Sequence, residues 1–277
     1  MTPLRKKFIA SLELQNYSQK TIKQYVKCVA QFAAYFRRCP SKLGVPEIKQ
    51  FLQYLRDEKK TSSSMHRQAV AALRYLYSQV LDKELYIPRI PYPRRDQPIR
   101  TFLTPEEVRM VLDSVADPKH RMMLEILYAT GLRVGELVAL RVSDIDSRNM
   151  TVTVRDGKGH KGRLTLLSPA LLSKLRDYYR EYRPKEWLFE GKTKEGHVDE
   201  CVAQHACTRA QKKSGIGKKI TPQVFRRSFT SALHEAGVDV ITISRLLGHV
   251  HVQTTGVYTN VTLKTLQKTK SPLDLLP

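Results

Sequence analysis

The sequence predicts a two-domain, mainly α-helical protein with one small β-hairpin. Three observations carry this. Apolar residues recur at three- and four-residue steps through most of the chain, strict alternation is confined to one short stretch, and a single Pro-rich break divides the helical segments. At 277 residues the chain is long enough for about two domains. With 41% hydrophobic and 27% charged residues it sits near globular averages, which excludes a disordered or collagen-like chain.

Residues 1–86 read as a bundle of four short helices. Ser18 precedes a run in which Ile22, Val26, Val29, Phe32, Ala33 and Phe36 share a face, while Lys20, Lys23 and Lys27 occupy the other. Val45-Pro46-Glu47 opens a further helix with proline in its first turn and Ile48, Phe51, Leu52 and Leu55 inward. Ser62-Ser63-Ser64 precede another, through Val70, Leu73, Leu76 and Tyr77. Residues 87–103 break the period: Pro88, Pro91, Pro93 and Pro98 disallow helix, and Arg89, Arg94, Arg95 and Arg100 make a stiff, cationic linker.

Residues 104–277 form the second domain. Thr104-Pro105-Glu106-Glu107 restarts helix with an N-cap, a proline and acidic residues at the positive end of the dipole. An apolar helix from Arg121 to Tyr128 ends at Gly131 and resumes from Val134 to Leu140; Tyr128 lies on its apolar face and reads as core. Thr151–Val154 alternates as a strand, Asp156-Gly157-Lys158-Gly159 turns, and Arg163–Leu166 returns, which puts Lys158 near a hairpin tip. Helical patterns follow over Pro169–Tyr182, Val198–Lys213, Pro222–Ala236 and Ile241–Leu247.

The charge balance is +22, and the first hundred residues alone contribute twenty Lys and Arg against seven Asp and Glu. Because these cations are interleaved with apolar residues, they predict a folded polyanion-binding surface. No run of 18 apolar residues and no apolar leader segment occurs, so neither membrane insertion nor secretion is expected, and four scattered cysteines fit a reducing cytoplasm. His197, Cys201 and His205, with Cys207 nearby, invite comparison with a metal site on one helical face. Three ligands spread over two turns would span roughly 12 Å at 1.5 Å per residue, so buried thiols and a partly exposed histidine pair are expected instead, with no metal and no cofactor.

Four segments of the second domain together resemble the tyrosine recombinase family, the phage-integrase and Xer type of DNA strand-exchange enzyme. They are Ala129-Thr130-Gly131-Leu132-Arg133-Val134-Gly135-Glu136-Leu137, the hairpin Gly157-Lys158-Gly159, Thr221-Pro222-Gln223-Val224-Phe225-Arg226-Arg227-Ser228-Phe229, and Leu246-Leu247-Gly248-His249 followed nine residues later by Tyr258. The resemblance covers about residues 104–262 and implies a mainly α catalytic domain with a small sheet. It also implies a SAM-like N-terminal helical bundle that closes the two domains as a clamp on DNA.

The resemblance implies roles that chemistry makes intelligible. Cutting a phosphodiester without metal or ATP needs a nucleophile that stores the bond energy, and Tyr258 would do so as a 3′-phosphotyrosine. Arg133 and Arg226 would clamp the non-bridging oxygens with bidentate forks. Lys158 would protonate the leaving 5′-oxygen, His249 would hydrogen-bond the phosphate, and Glu136 would orient Arg133. Lys20, Lys23, Lys27, Arg94, Arg95, Arg100 and Arg227 would contact the DNA backbone. The expected partner is a double-stranded recombination site on which the protein self-associates as a tetramer, in a bacterial cytoplasm at the nucleoid, with a mobile element or chromosomal site as target.

Gln223 departs from the family pattern, which most often has histidine there. Glutamine donates a hydrogen bond but takes no proton, so the alternative is an impaired relative acting as a sequence-specific DNA-binding protein. Type IB topoisomerases carry similar residues; the small N-terminal bundle and short chain favour a recombinase. The tail, Thr262–Pro277, is expected to pack on its own domain or on a neighbouring subunit.

Overall fold

Helix caps set most of the element boundaries. Thr2, Ser18, Ser62, Thr104, Asp117, Ser168, Asp199, Thr221 and Asp239 each accept a first-turn backbone N–H, satisfying a donor that a helix start leaves open. The structure is a computed structural model and describes residues 2–83, 90, 92–93, 101–155, 162–191 and 196–248. The chain divides into two compact units, Met1–Pro98 and Ile99–Pro277, each built on its own apolar core.

The first unit packs α1 (Pro3–Leu14), α2 (Gln19–Phe36), α3 (Val45–Asp57) and α4 (Ser63–Tyr75) around Phe8, Phe32, Phe51 and Leu73. The last helix runs on into one π-helical turn, Leu76–Val80, whose extra residue keeps Leu76, Tyr77 and Val80 all buried. The Tyr77 hydroxyl, carried inside, donates to the Pro40 carbonyl at 2.7 Å. Lys20, Lys23 and Lys27 are exposed along α2, opposite buried Ile22, Val26 and Phe32. Within the Pro-rich stretch, the described residues Ile90, Tyr92 and Pro93 meet this bundle. Ile90 is fully buried in its core, and Arg67 and Arg74 lie over the Tyr92 ring at 5.1 and 4.8 Å while donating to the Pro93 and Ile90 carbonyls. Arg94, Arg95 and Arg100 lie outside the described residues.

In the second unit α5 (Pro105–Asp113), α6 (Pro118–Thr130) and α7 (Val134–Val138) precede a three-stranded antiparallel sheet in the order β1 (Ile145–Asp146), β2 (Thr151–Val154), β3 (Arg163–Leu166). Four helices follow: α8 (Pro169–Tyr182), α9 (Glu200–Ser214), α10 (Pro222–Glu235) and α11 (Val240–Leu247). The core gathers on α6, whose Met122–Leu127 segment is buried throughout, with Phe225, Phe189 and Val152 against it. Gly131 ends α6 at φ +65°, and a Cβ there would fall 2.5 Å from the Phe229 ring, so both conformation and space require glycine. Tyr128 is half-buried and packs against this core.

The hairpin runs in the register Thr151↔Leu166 to Val154↔Arg163. On β3 it is Thr165 that turns inward, its hydroxyl donating to the Thr130 carbonyl at 2.9 Å, while Leu164 and Leu166 stay exposed. With a period of two, Arg163 shares the inward face with Thr165. The turn holding Lys158 lies outside the described residues.

The reading of residues 197–207 needs correction. α9 starts at Glu200, so His197 precedes the helix; it pairs with Glu190 in an isolated bridge and meets Trp187 edge-on at 5.1 Å. The cap is the cause, since Asp199 takes the Cys201 N–H at 2.8 Å and sets the first turn after His197. Cys201 is exposed and only Cys207 is buried, so the expectation of buried thiols holds for one of them. Among the described residues no three His, Cys, Asp or Glu side chains gather as a metal site, and no helix is long and apolar enough to cross a membrane.

Candidate active site

Arg133 is the N-cap of α7 and Glu136 is the third residue of that helix. This spacing lets the carboxylate reach back, and Oε2 accepts the Arg133 backbone N–H at 2.8 Å while Oε1 takes Nη1 of the Arg133 side chain at 2.8 Å. A second guanidinium arrives from β3: Arg163 donates Nη1 to Oε1 at 2.8 Å and Nη2 to Oε2 at 2.7 Å, a bidentate pair. A third stands behind them on α10, with Arg226 Nη1 3.9 Å from Oε2. Three arginines from three elements converge on one carboxylate, which leaves the cluster net positive.

Burial sorts these side chains. Arg226 is 3% exposed and anchored by two helix ends, Nη1 donating to the Gly131 carbonyl at 2.5 Å and Nη2 to the Leu247 carbonyl at 2.6 Å. Arg163 is 9% exposed, whereas Arg133 keeps 31% of its side chain open to solvent. Burial alone would push the Glu136 carboxyl up, but the Arg163 hydrogen bonds, the Arg133 amide, the Arg163 charge and the Arg133 side chain outweigh it and hold it at about 2. Its folded value lies below its ordinary one of 4.5, so the stability it contributes is present above that value and is lost as pH falls toward 2.

Gln223 is exposed in the first turn of α10, one helical turn before Arg226, where backbone N–H groups and the dipole favour an anion. Arg227 follows Arg226 and is half-buried. The structure thus brings Arg133, Glu136 and Arg226 together, with Gln223 one turn from Arg226. Lys158, His249 and Tyr258 lie outside the described residues. Arg163 is the residue the sequence reading missed. Its only signal was register: a cation two residues before an inward Thr165 on a paired strand must face inward too.

A helical unit with a small antiparallel sheet thus presents carboxylate-anchored arginines as a cationic site suited to an anion such as a phosphate. Residues 101–264 match the phage integrase family and residues 4–87 match the phage integrase N-terminal SAM-like domain. The chain therefore belongs to the phage integrase family, the tyrosine-type site-specific DNA recombinases.

The Sinorhizobium fredii protein y4qK, which carries an integrase/recombinase name, is 40% identical over 280 residues, covering 100% of this chain and 90% of its own length. Tyrosine recombinase XerA of Pyrococcus horikoshii is 30% identical over 264 residues, covering 94% of this chain and 90% of its own. Among solved structures, the crystal structure of XerA recombinase is similar with a TM-score of 0.56 at 26% identity, over 96% of this chain and 95% of the other. A lambda integrase dimer bound to a COC′ core site shares the fold, with a TM-score of 0.74 at 18% identity over 91% and 95% of the two chains.

Proposed function

We propose that the chain binds a specific duplex site and cuts it through Tyr258, whose phenolic oxygen attacks the scissile phosphorus as the bond to the 5′-oxygen breaks. The product is a 3′-phosphotyrosine, reversible because the phosphodiester energy stays in the new linkage. Arg133 and Arg226 clamp the non-bridging oxygens, Glu136 orients Arg133, Lys158 gives its proton to the departing 5′-oxygen, and His249 hydrogen-bonds the phosphate. The observation that carries this reading is the convergence of Arg133 and Arg226, 93 residues apart in sequence, on Glu136.

The proposed division of labour gives residues 1–86 the outer DNA contacts through Lys20, Lys23 and Lys27. Residues 87–103 link the domains through Arg94, Arg95 and Arg100, and residues 104–277 supply the chemistry together with Arg227. Copies assemble on paired sites as a tetramer; solved relatives include a lambda integrase dimer on a core site and XerH on its difH substrate. The proposed setting is a bacterial cytoplasm at the nucleoid. A mobile element as target is supported by the likeness to the Tn1549 transposon integrase. A nicked suicide duplex, from which the cut strand cannot be rejoined, tests the reading: a denaturing gel shows a covalent protein–DNA adduct, and its absence overturns the proposal.

Two outcomes refine it. With about six phosphate contacts, log affinity falls with log salt at a slope of roughly −5, and Lys20→Ala/Lys23→Ala/Lys27→Ala makes that slope shallower by about 2–3 in a fluorescence titration. An unchanged slope removes α2 from the interface. At the other site, Gln223→His leaves cleavage within about tenfold, a barrier change of roughly 1.4 kcal/mol, because a hydrogen-bond donor is all the position supplies. A large gain that titrates between about pH 6 and 7 would show that a proton acceptor is missing and favour the DNA-binding alternative for the natural sequence.

A further inference from the structure

Every nitrogen of the Arg163 guanidinium is engaged. Nη1 and Nη2 take the two Glu136 oxygens, and Nε donates to the Leu246 carbonyl at the end of α11 at 2.8 Å. At 9% exposure its charge is spent on the Glu136 carboxylate, whereas the Arg226 fork rests on neutral carbonyls and Arg133 is 31% exposed. The chain closes over it: Gly248, at φ +64°, lies so near that a Cβ would stand 2.7 Å from Arg163 Cδ. One residue of β3 therefore touches the N-terminal turn of α7, which carries Arg133, and the C-terminal turn of α11, which His249 follows in sequence. Just past the end of β2, Arg155 Nε pairs with Oδ1 of Asp144, a carboxylate only 2% exposed.

We infer that Arg163 is a positioning residue for strand cleavage: by spanning both Glu136 oxygens and the Leu246 carbonyl, it holds Arg133 and the turn before His249 in fixed register with the β2–β3 hairpin. The inference rests on the roles proposed above for Arg133 and His249. Arginine is required because its planar fork bonds two carboxylate oxygens on one side while Nε serves a carbonyl on another; a lysine ammonium on a flexible stem cannot do both. The groups facing Glu136 are Arg133 from the start of α7, Arg163 from β3 and Arg226 from α10. Glu200 of α9 lies close by, its Oε1 3.1 Å from where a Cβ on Gly135 would stand. Without Arg163, burial pushes the Glu136 carboxyl upward against fewer opposing bonds.

The test measures single-turnover cleavage of the suicide duplex at saturating protein across a pH series, for the wild type, Arg163→Ala and Arg163→Lys. In both variants DNA affinity stays near wild type while cleavage per bound complex falls about 10- to 100-fold, as when a group that orients a contacting residue is lost. Arg163→Lys retains more activity than Arg163→Ala. Arg163→Ala also gains an acid limb, the rate dropping as pH falls through the raised Glu136 value, and that limb vanishes when Glu136→Gln is added. Unaltered cleavage per complex, or a loss with the wild-type pH profile, overturns the inference. Hydrogen exchange in the DNA-free protein reads the same tether without cleavage: amides of 133–137 and 244–248 exchange faster in both variants while those of α8 do not. Equal exchange overturns the inference too. A wild type that forms no adduct would sink the recombinase roles, and exchange alone would then judge Arg163.

Discussion

Tyr258→Phe binds its duplex site like the wild type and leaves no covalent adduct on a suicide substrate. The substitution removes one oxygen and keeps the ring, so packing and DNA affinity persist while the only group assigned to attack phosphorus is gone. The loss is on the order of 10⁴-fold or more, the scale seen when a covalent nucleophile is removed. A denaturing gel with end-labelled DNA reads the result directly. An adduct formed by the Phe variant would mean that another side chain is the nucleophile.

The arginine clamps differ in what their loss should cost. Arg226→Lys keeps the charge but reaches only one of the two helix-end carbonyls that Arg226 now holds, those of Gly131 and Leu247. The other is left buried without its donor, a penalty of about 1–3 kcal/mol, and the fork on the phosphate is lost as well. Cleavage should fall by about 10²–10³, comparable with the loss of an oxyanion donor, and the melting temperature should fall with it. Arg133→Lys loses cleavage on a similar scale but little stability, because Arg133 is 31% exposed and leaves Glu136 still paired with Arg163. Paired thermal melts and single-turnover rates separate the two. Near-normal cleavage in both variants would show that the phosphate is held elsewhere.

The helices were legible because their starts carry local chemistry. Thr104-Pro105, Ser168-Pro169 and Thr221-Pro222 each combine a capping oxygen with a proline, and α5, α8 and α10 begin at those prolines. Two elements without such a mark were missed. β1 is two residues long and has no period to detect, and the π turn after α4 breaks the period that was used to follow it. The helix drawn through His197 failed for a related reason: Asp199 offers a cap two residues into an otherwise helical pattern, and that cap decided the start.

The resemblance of four sequence segments to the tyrosine recombinases carried the family and singled out Arg133, Glu136 and Arg226, a constellation spread over 94 residues whose members are each common. What only the tertiary structure decided is how those residues are held. Arg163 stands 27 residues from Glu136 and 83 from Leu246, and neither distance along the chain leaves a trace in composition or periodicity. The physical reason is that a buried carboxylate among several arginines takes the partners that packing brings to it. That packing depends on the inward register of β3, the glycine at 131 and the glycine at 248, which let a strand and two helix ends approach within hydrogen-bond reach.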